Sequence, residues 1–278
     1  MIASLPPYLL DANLTHGKNC LLGRVSRAKS SCIWRGASHA ETNAVFLLPM
    51  KVLVIDIGGT NIKVAATDML VPVKIPSGPA LTARQMVDDV HAATKGWEYD
   101  CISIGYPGPV NHDAPKAEPH NLGHGWTDFN YRQALGKPYR FINDAAMQAL
   151  GGYKGGRMLF LGTGTGLGSA MIFDGIVVPL ELAHLPYKKG CTYEEYIGLA
   201  GLERRGKKRW RKSVLDVMER LQAAMVCDYV LLGGGNAKLM GDLPSGVIMG
   251  ANSNAIEGGL KLWDTPVPAA TSSKIAKR

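Results

Sequence analysis

Val52-Leu-Val-Ile-Asp-Ile-Gly-Gly-Thr-Asn-Ile-Lys63 is the stretch whose reading decides the fold. Val52 to Ile55 is a run of apolar, mostly β-branched residues, the mark of a buried strand. The run delivers Asp56, then the pair Gly58 and Gly59, then Thr60 and, three residues on, Lys63. Paired glycines let the backbone turn with positive φ and come close to a ligand. Amide N–H groups, a hydroxyl and an ammonium are left to surround an anion, with the Asp56 carboxylate placed to hold a metal ion through water. An ordinary hairpin closed by Gly-Gly fits the same residues, so the rest of the chain has to decide.

The device recurs about 100 residues later. A strand at Met158–Leu161 enters Gly162-Thr163-Gly164-Thr165-Gly166-Leu167-Gly168, and Ser169–Phe173 returns as its partner, as Lys63–Thr67 does for the first turn. These glycines alternate strictly and no helix or acidic residue follows at the right distance, so this is not a dinucleotide-binding fingerprint. Gly201 to Lys208 is likewise no phosphate loop of the Walker type: Lys208 stands where a hydroxyl is needed, and no strand precedes it. Two similar lobes, each presenting a glycine turn to a shared cleft, are the simplest architecture. The other strands expected are Cys101–Ile104, Tyr139–Ile142 and Asp228–Leu232, the last entering Gly233, Gly234 and Gly235. Helices are expected at Thr82–Thr94 with Thr82 as N-cap, from Ala145 to Gly151, at Trp210–Val226 and near Ser253–Leu262. The polar loop Asn111–Trp126 is too long for a plain connector and is a candidate ligand contact.

With 278 residues, 46% hydrophobic and 19% charged, the composition is that of a soluble globular protein. The net charge is +8, of which residues 1–49 contribute +3, an excess that favours anionic ligands. Cys20, Cys32, Cys101, Cys191 and Cys227 form no CxxC pair, which argues against zinc and disulfide scaffolds and for a reducing, cytoplasmic setting. No apolar run approaches the ~20 residues that span a bilayer, and no nucleic-acid-reading motif is present. Residues 1–49 are aperiodic and read as a poorly ordered extension, with a transit peptide as alternative. The folded unit then divides into lobes at 50–143 and 144–265, the terminal helix packing back on the first, followed by a tail at 266–278.

Several residues carry both a plain reading and a chemical one. Asp144, at a strand end and helix start, is an N-cap or, in a cleft, a base for an attacking hydroxyl. Glu181 and His184 share one side of a turn, with no third ligand spaced for a metal. Arg204 to Lys212 holds seven basic residues in nine. Such a run is a solvated helix face, or a track for a polyanion bound through counterion release.

In this order the motifs resemble the ROK family of sugar kinases and, within it, the polyphosphate glucokinases. Asp56 to Lys63 is similar to the family's first phosphate motif, Leu161 to Gly166 to the second, and Leu232 to Gly235 to the nucleotide-side glycine loop. Asn121-Leu122 and Asn143-Asp144 resemble its sugar-contacting and catalytic pairs, and Glu181-Leu-Ala-His184 its Glu-x-Gly-His, with Ala183 in place of glycine. The resemblance implies an α/β chain with the actin-like ATPase (ribonuclease H-like) fold, two lobes around a central cleft. It implies transfer of a phosphoryl group to the 6-hydroxyl of glucose with Asp144 as general base. Asn121, Asn143, Glu181, His184 and Glu194 would hold the sugar. Asp56, Gly58, Gly59, Thr60, Lys63, Gly162, Thr163, Gly164, Thr165, Gly166, Gly233, Gly234 and Gly235 would hold the donor phosphates, with Asp56 also on Mg2+. Lys207, Lys208, Arg209, Arg211 and Lys212 would form the polyphosphate track; ATP is the other donor. A structural zinc is not implied, since of the Cys-x-Cys-Gly zinc loop that many members of the family carry after the histidine only Cys191 is present, and a homodimer is implied. A sugar-responsive repressor and a silent sugar-binding protein are the alternatives from another class.

Overall fold

The computed structural model describes residues 50–264. The expectations for residues 1–49 and for the tail lie outside them. β1 (Val52–Ile57) is buried along its length, and its two faces feed different cores. Leu53, Ile55 and Ile57 pack with Ile62, Val64, Met86, Val87 and Trp126 in the outer core, whereas Val52 and Val54 pack with Ala145, Ala146, Met147 and Ile256 in the central one. Side chains alternate along a strand, so Asp56 shares the central face with Val52 and Val54.

β2 (Asn61–Ala66) and β3 (Met69–Pro76) continue from β1 as an antiparallel meander. The helix α1 (Ala83–Ala93) begins at the expected N-cap, where Thr82 and Gln85 form a reciprocal capping box. β4 (Cys101–Tyr106) lies parallel to β1; a small ribbon of β5 (Val110–Asn111) and β6 (Ala114–Pro115) and the short helix α2 (Tyr131–Leu135) follow. β7 (Tyr139–Asn143) completes a five-stranded sheet in the order β3-β2-β1-β4-β7. The helix α3 (Asp144–Gly152) leaves it directly.

The second sheet repeats that arrangement. β8 (Arg157–Thr163), β9 (Leu167–Phe173) and β10 (Ile176–Leu180) form the meander. The hairpin of β11 (Pro186–Lys188) and β12 (Cys191–Thr192) leads into α4 (Tyr193–Ile197) and α5 (Leu199–Met225). β13 (Tyr229–Gly233) and β14 (Val247–Met249) add in parallel, for the order β10-β9-β8-β13-β14. The last helix, α6 (Asn254–Lys261), shares the central core with α3, and Ser103 of β4 donates to its Gly259 carbonyl at 2.6 Å. Among the described residues, no helix is long and apolar enough to cross a membrane.

Several elements lie outside the expectations, among them the short β5, β6, β11, β12, β14, α2 and α4; β3, β10 and α5 are the informative ones. β3 and β10 were not anticipated, and both carry proline, which removes a donor and disguises a strand. Ser77, opposite Thr60, donates to it at 3.0 Å, so alternate nitrogens of β3 face β2 and those of Pro72 and Pro76 face the open edge. The meander thus ends in an edge with two donors removed, although Val71 there is 86% exposed. The third difference is α5, which begins at Leu199 rather than Trp210. Gly206 interrupts it at φ 72°, ψ 156°, a conformation that glycine adopts without strain, and that break hid the first segment from helical periodicity.

Candidate active site

A cavity of about 1020 Å³ opens where both meanders turn and where α3 begins. The expected residues Gly58, Gly59, Thr60, Asn121, Asn143, Asp144, Gly162, Gly164, Thr165, Gly166, Glu181, His184, Glu194 and Gly234 line it. Asp56, Lys63, Thr163, Gly233 and Gly235 are not among the lining residues. None of the basic run lines it.

Asp144 occupies the first turn of α3, and the capping role falls to its neighbour. Asn143 Oδ1 accepts from the Ala146 amide at 3.0 Å and its Nδ2 donates to the Gly108 carbonyl at 3.2 Å. The expected sugar contact Asn143 therefore has both ends of its amide engaged in holding the helix start to the Pro107–Pro109 loop. Asp144 is left to face the cavity with one oxygen on the Ala145 amide at 2.8 Å. Burial pushes its carboxyl up to about 7; the negative charges of Asp56 and Glu181 add to this and the Ala145 amide opposes it. A carboxyl poised near neutrality can accept a proton from a hydroxyl and release it again.

Asp56 is 5% exposed, and Lys63 Nζ donates to its Oδ2 at 2.9 Å across the hairpin register. Donors around the first turn are fixed locally: the Gly58 amide donates to Asn61 O at 3.1 Å, and Ser77 Oγ to Gly58 O at 2.6 Å. The second turn closes on itself through Gly164 N to Gly166 O at 3.1 Å, and its other supports come from distant elements. Glu194 of α4 accepts from the Leu167 amide at 3.0 Å, and the Leu199 amide at the start of α5 donates to Thr165 O at 3.1 Å. Asn236, directly after Gly235, donates from its side chain to Gly164 O at 3.0 Å and from its backbone to Thr163 O at 2.8 Å. Thr163 Oγ1 donates in turn to Gly233 O at 3.2 Å, which ties the third glycine loop to the second.

The segment that carries Glu181 and His184 into the cavity is a single 3-10 turn, Leu182–His184, with Glu181 before it. Ser169 of β9 fixes it, donating to Leu180 O at 2.9 Å and accepting from the Leu182 amide at 3.1 Å. Ser77, Ser169 and Asn236 were not expected at the site. Only Asn236 carried a signal, its place beside three glycines. Glu118 and His120 also line the cavity, from the long loop that sequence marked. Glu118 anchors that loop by accepting from the Trp126 and Thr127 amides at 3.1 Å and from the Thr127 hydroxyl at 2.8 Å.

The basic run divides in two. Arg204 donates to Glu195 O at 2.7 Å, Arg205 lies 4.4 Å over the Tyr196 ring, and Arg211 is half-buried and donates to Leu239 O. Arg211 is therefore turned inward, unlike the rest of the expected track. Lys207, Lys208, Arg209 and Lys212 are exposed and make no ion pair among the described residues.

Residues 52–179 match the model of the ROK family. The chain is 28% identical over 206 residues to a polyphosphate glucokinase of Mycobacterium tuberculosis, covering 65% of this chain and 76% of that one. It is 27% identical over 205 residues to a polyphosphate glucokinase of Mycobacterium leprae, covering 65% and 62%. Among solved structures it resembles an inorganic polyphosphate/ATP-glucomannokinase from Arthrobacter sp., with TM-score 0.65 and 24% identity over 76% of this chain and 97% of that one. A ROK family glucokinase from Streptomyces griseus, in complex with glucose and AMPPNP, gives TM-score 0.61 and 18% identity over 76% and 98%. With two sheets of matching strand order turned toward one cavity, the chain has the actin-like ATPase fold, and over residues 52–179 it is similar to the ROK family.

Proposed function

We propose that the protein is a sugar kinase that moves a phosphoryl group to the 6-hydroxyl of glucose, with inorganic polyphosphate as donor and ATP as alternate. One observation carries this proposal: Asp144, at the start of α3 and with burial raising its carboxyl's proton affinity, lines the same cavity as both glycine turns. Phosphoryl transfer through a loose transition state asks for positioning and charge neutralisation rather than covalent chemistry. In this proposal the lobes 50–143 and 144–265 enclose the two substrates. Asp144 accepts the proton of the sugar hydroxyl, while Asn121, Glu181 and His184 hold the sugar. The amides of Gly59 and Thr60 in the first turn and of Thr165 and Gly166 in the second then cradle the donor phosphates.

The residues present suit Mg2+, which takes oxygen ligands from one or two carboxylates, waters and substrate phosphates. Asp56 and Asp144 lie close enough for the charge of one to raise the proton affinity of the other. Asp56, already balanced by Lys63, would hold the ion through water. Bound there, the ion neutralises charge on the transferring group.

Polyphosphate as donor is supported by the four exposed, unpaired cations of α5 and by the names of the relatives. ATP alone is the second reading, favoured by the fact that those cations stand outside the cavity wall. A coupled glucose 6-phosphate assay with Mg2+ and each donor in turn tests both. Turnover with polyphosphate that fades as salt rises, and that the charge-neutral variant K207Q/K208Q/R209Q/K212Q loses selectively, is expected. Equal loss with ATP, or turnover from ATP only, would remove the track. No product from any hexose would overturn the kinase proposal itself.

A further inference from the structure

The hairpin β11–β12 joins the acceptor-side turn to α4, so it sets the spacing between His184 and Glu194. Its strands have three and two residues, too few to hold a ribbon in place alone. At its foot the Tyr193 amide donates to Leu185 O at 3.1 Å. Its tip is held by one carboxylate of α5. Asp216 Oδ2 accepts from the Tyr187 hydroxyl at 2.5 Å, from Lys188 Nζ at 3.1 Å and from Arg220 Nε at 2.8 Å.

The bonds converge on a stacked aromatic group. The Tyr187 ring meets Tyr196 edge-on at 4.8 Å and lies 5.2 Å from Tyr193, and Arg205 lies 4.4 Å over the Tyr196 ring. A lone surface ion pair contributes little. Here one half-buried carboxylate takes three donors while aromatic rings of the hairpin and α4 lock together, a network in which members reinforce one another. Hydrogen bonds from Arg220 first, then Tyr187 and Lys188, hold the Asp216 carboxyl well below the usual carboxylate range, so it is ionised at every working pH.

We infer that Asp216 is a positioning residue for the acceptor: acting through Tyr187 and the hairpin, it sets where His184 and Glu194 stand. It touches no cavity wall, and it reaches the second glycine turn only through Glu194, whose carboxylate accepts from the Leu167 amide. The inference rests on the sugar-kinase proposal, so its test begins with binding rather than turnover.

Glucose binding by calorimetry is compared for the wild type, Asp216→Asn, Asp216→Ala and Tyr187→Phe, followed by KM for glucose and for the donor. Asparagine keeps the shape and one acceptor but loses the charge; Tyr187→Phe keeps the ring stack and loses one bond, and so guards against an alanine variant that fails to fold. The expected result is a graded loss of glucose affinity, about threefold for Tyr187→Phe and Asp216→Asn and about tenfold or more for Asp216→Ala. The donor KM should rise by clearly less than glucose affinity falls, because only one of the second turn's several supports runs through Glu194, and kcat should be little changed. Unchanged glucose affinity in all three variants would overturn the inference and leave the kinase proposal standing. A parallel fall of both affinities with Tm would make Asp216 merely structural, which also overturns it. A wild type that binds no hexose would defeat the kinase proposal first.

Discussion

The two glycine turns are built alike and supported differently. The first, at Gly58–Thr60, sits inside one continuous hairpin, and its partners Asn61 and Ser77 belong to the same meander. The second, at Gly164–Gly166, borrows Glu194 from α4, Leu199 from α5 and Asn236 from the loop after β13. A Cβ on Gly59 would meet Asn121 Cβ at an ordinary 3.5 Å, whereas one on Gly166 would fall 2.2 Å from Glu194 Oε2. Local sequence is enough to shape the first turn. The second is a product of tertiary structure, so whatever moves α4 or α5 reaches it.

The largest effect belongs to the group that both turns face. Asp144→Asn should lower kcat by about 10²–10⁴-fold, the usual worth of a positioned base, while sugar binding and both turns stay intact. Activity of the unmodified protein should rise with pH through about 7 as this carboxyl loses its proton. The stability consequence has the opposite sign. The folded form binds this proton more tightly than the unfolded chain, so the site's contribution to stability falls as pH rises from about 4 to about 7. Asp144→Asn should thus gain in Tm over the wild type across that window and keep the gain above it. A pH–rate limb unchanged by the substitution would detach Asp144 from the chemistry.

Next in size is the paired test of the turns themselves. Gly166→Ala forces Glu194 away from the Leu167 amide and should cost about 1–3 kcal/mol, as overpacking does, together with most donor affinity. Gly59→Ala should stay within about 0.5 kcal/mol. Urea unfolding and donor KM, measured on both, decide the matter: equal costs would break the distinction between a self-supported and a borrowed turn.

That distinction also governs what sequence alone could show. The strand–glycine–strand units, Asp144 and the long loop Asn111–Trp126 were legible because each signal lies within a continuous stretch of at most 16 residues. Thr82 as N-cap was legible for the same reason. Glu194 was expected near the sugar, yet one of its carboxylate oxygens is held by the second turn, a contact across 27 positions that no local pattern reports. Asp144 read as a cap or a base, and only the bond from Ala146 to Asn143 separates the roles. The edge strands β3 and β10 were hidden by the prolines that protect them. In the basic run, helical phase past Gly206 decides which cations turn inward, and a break at that glycine makes the phase unreadable from spacing.

The smallest effect is the most selective. Ser77→Ala and Asn236→Ala each remove one hydrogen bond to a turn carbonyl, worth about 1 kcal/mol, so their stabilities should be nearly equal. Their activities should not be. The first turn retains the Gly58–Asn61 bond and the hairpin register around it, and Ser77→Ala should leave donor KM within about twofold. Loss of the Asn236 side chain frees Gly164 O in a loop whose remaining supports are spread over α4 and α5, and the third glycine loop loses one of its ties to the second. Asn236→Ala should therefore raise donor KM about threefold to tenfold with glucose KM unchanged. If the two variants moved donor KM alike, the second turn would be as self-sufficient as the first, and the influence assigned to α4 and α5 over the donor side would fall with it.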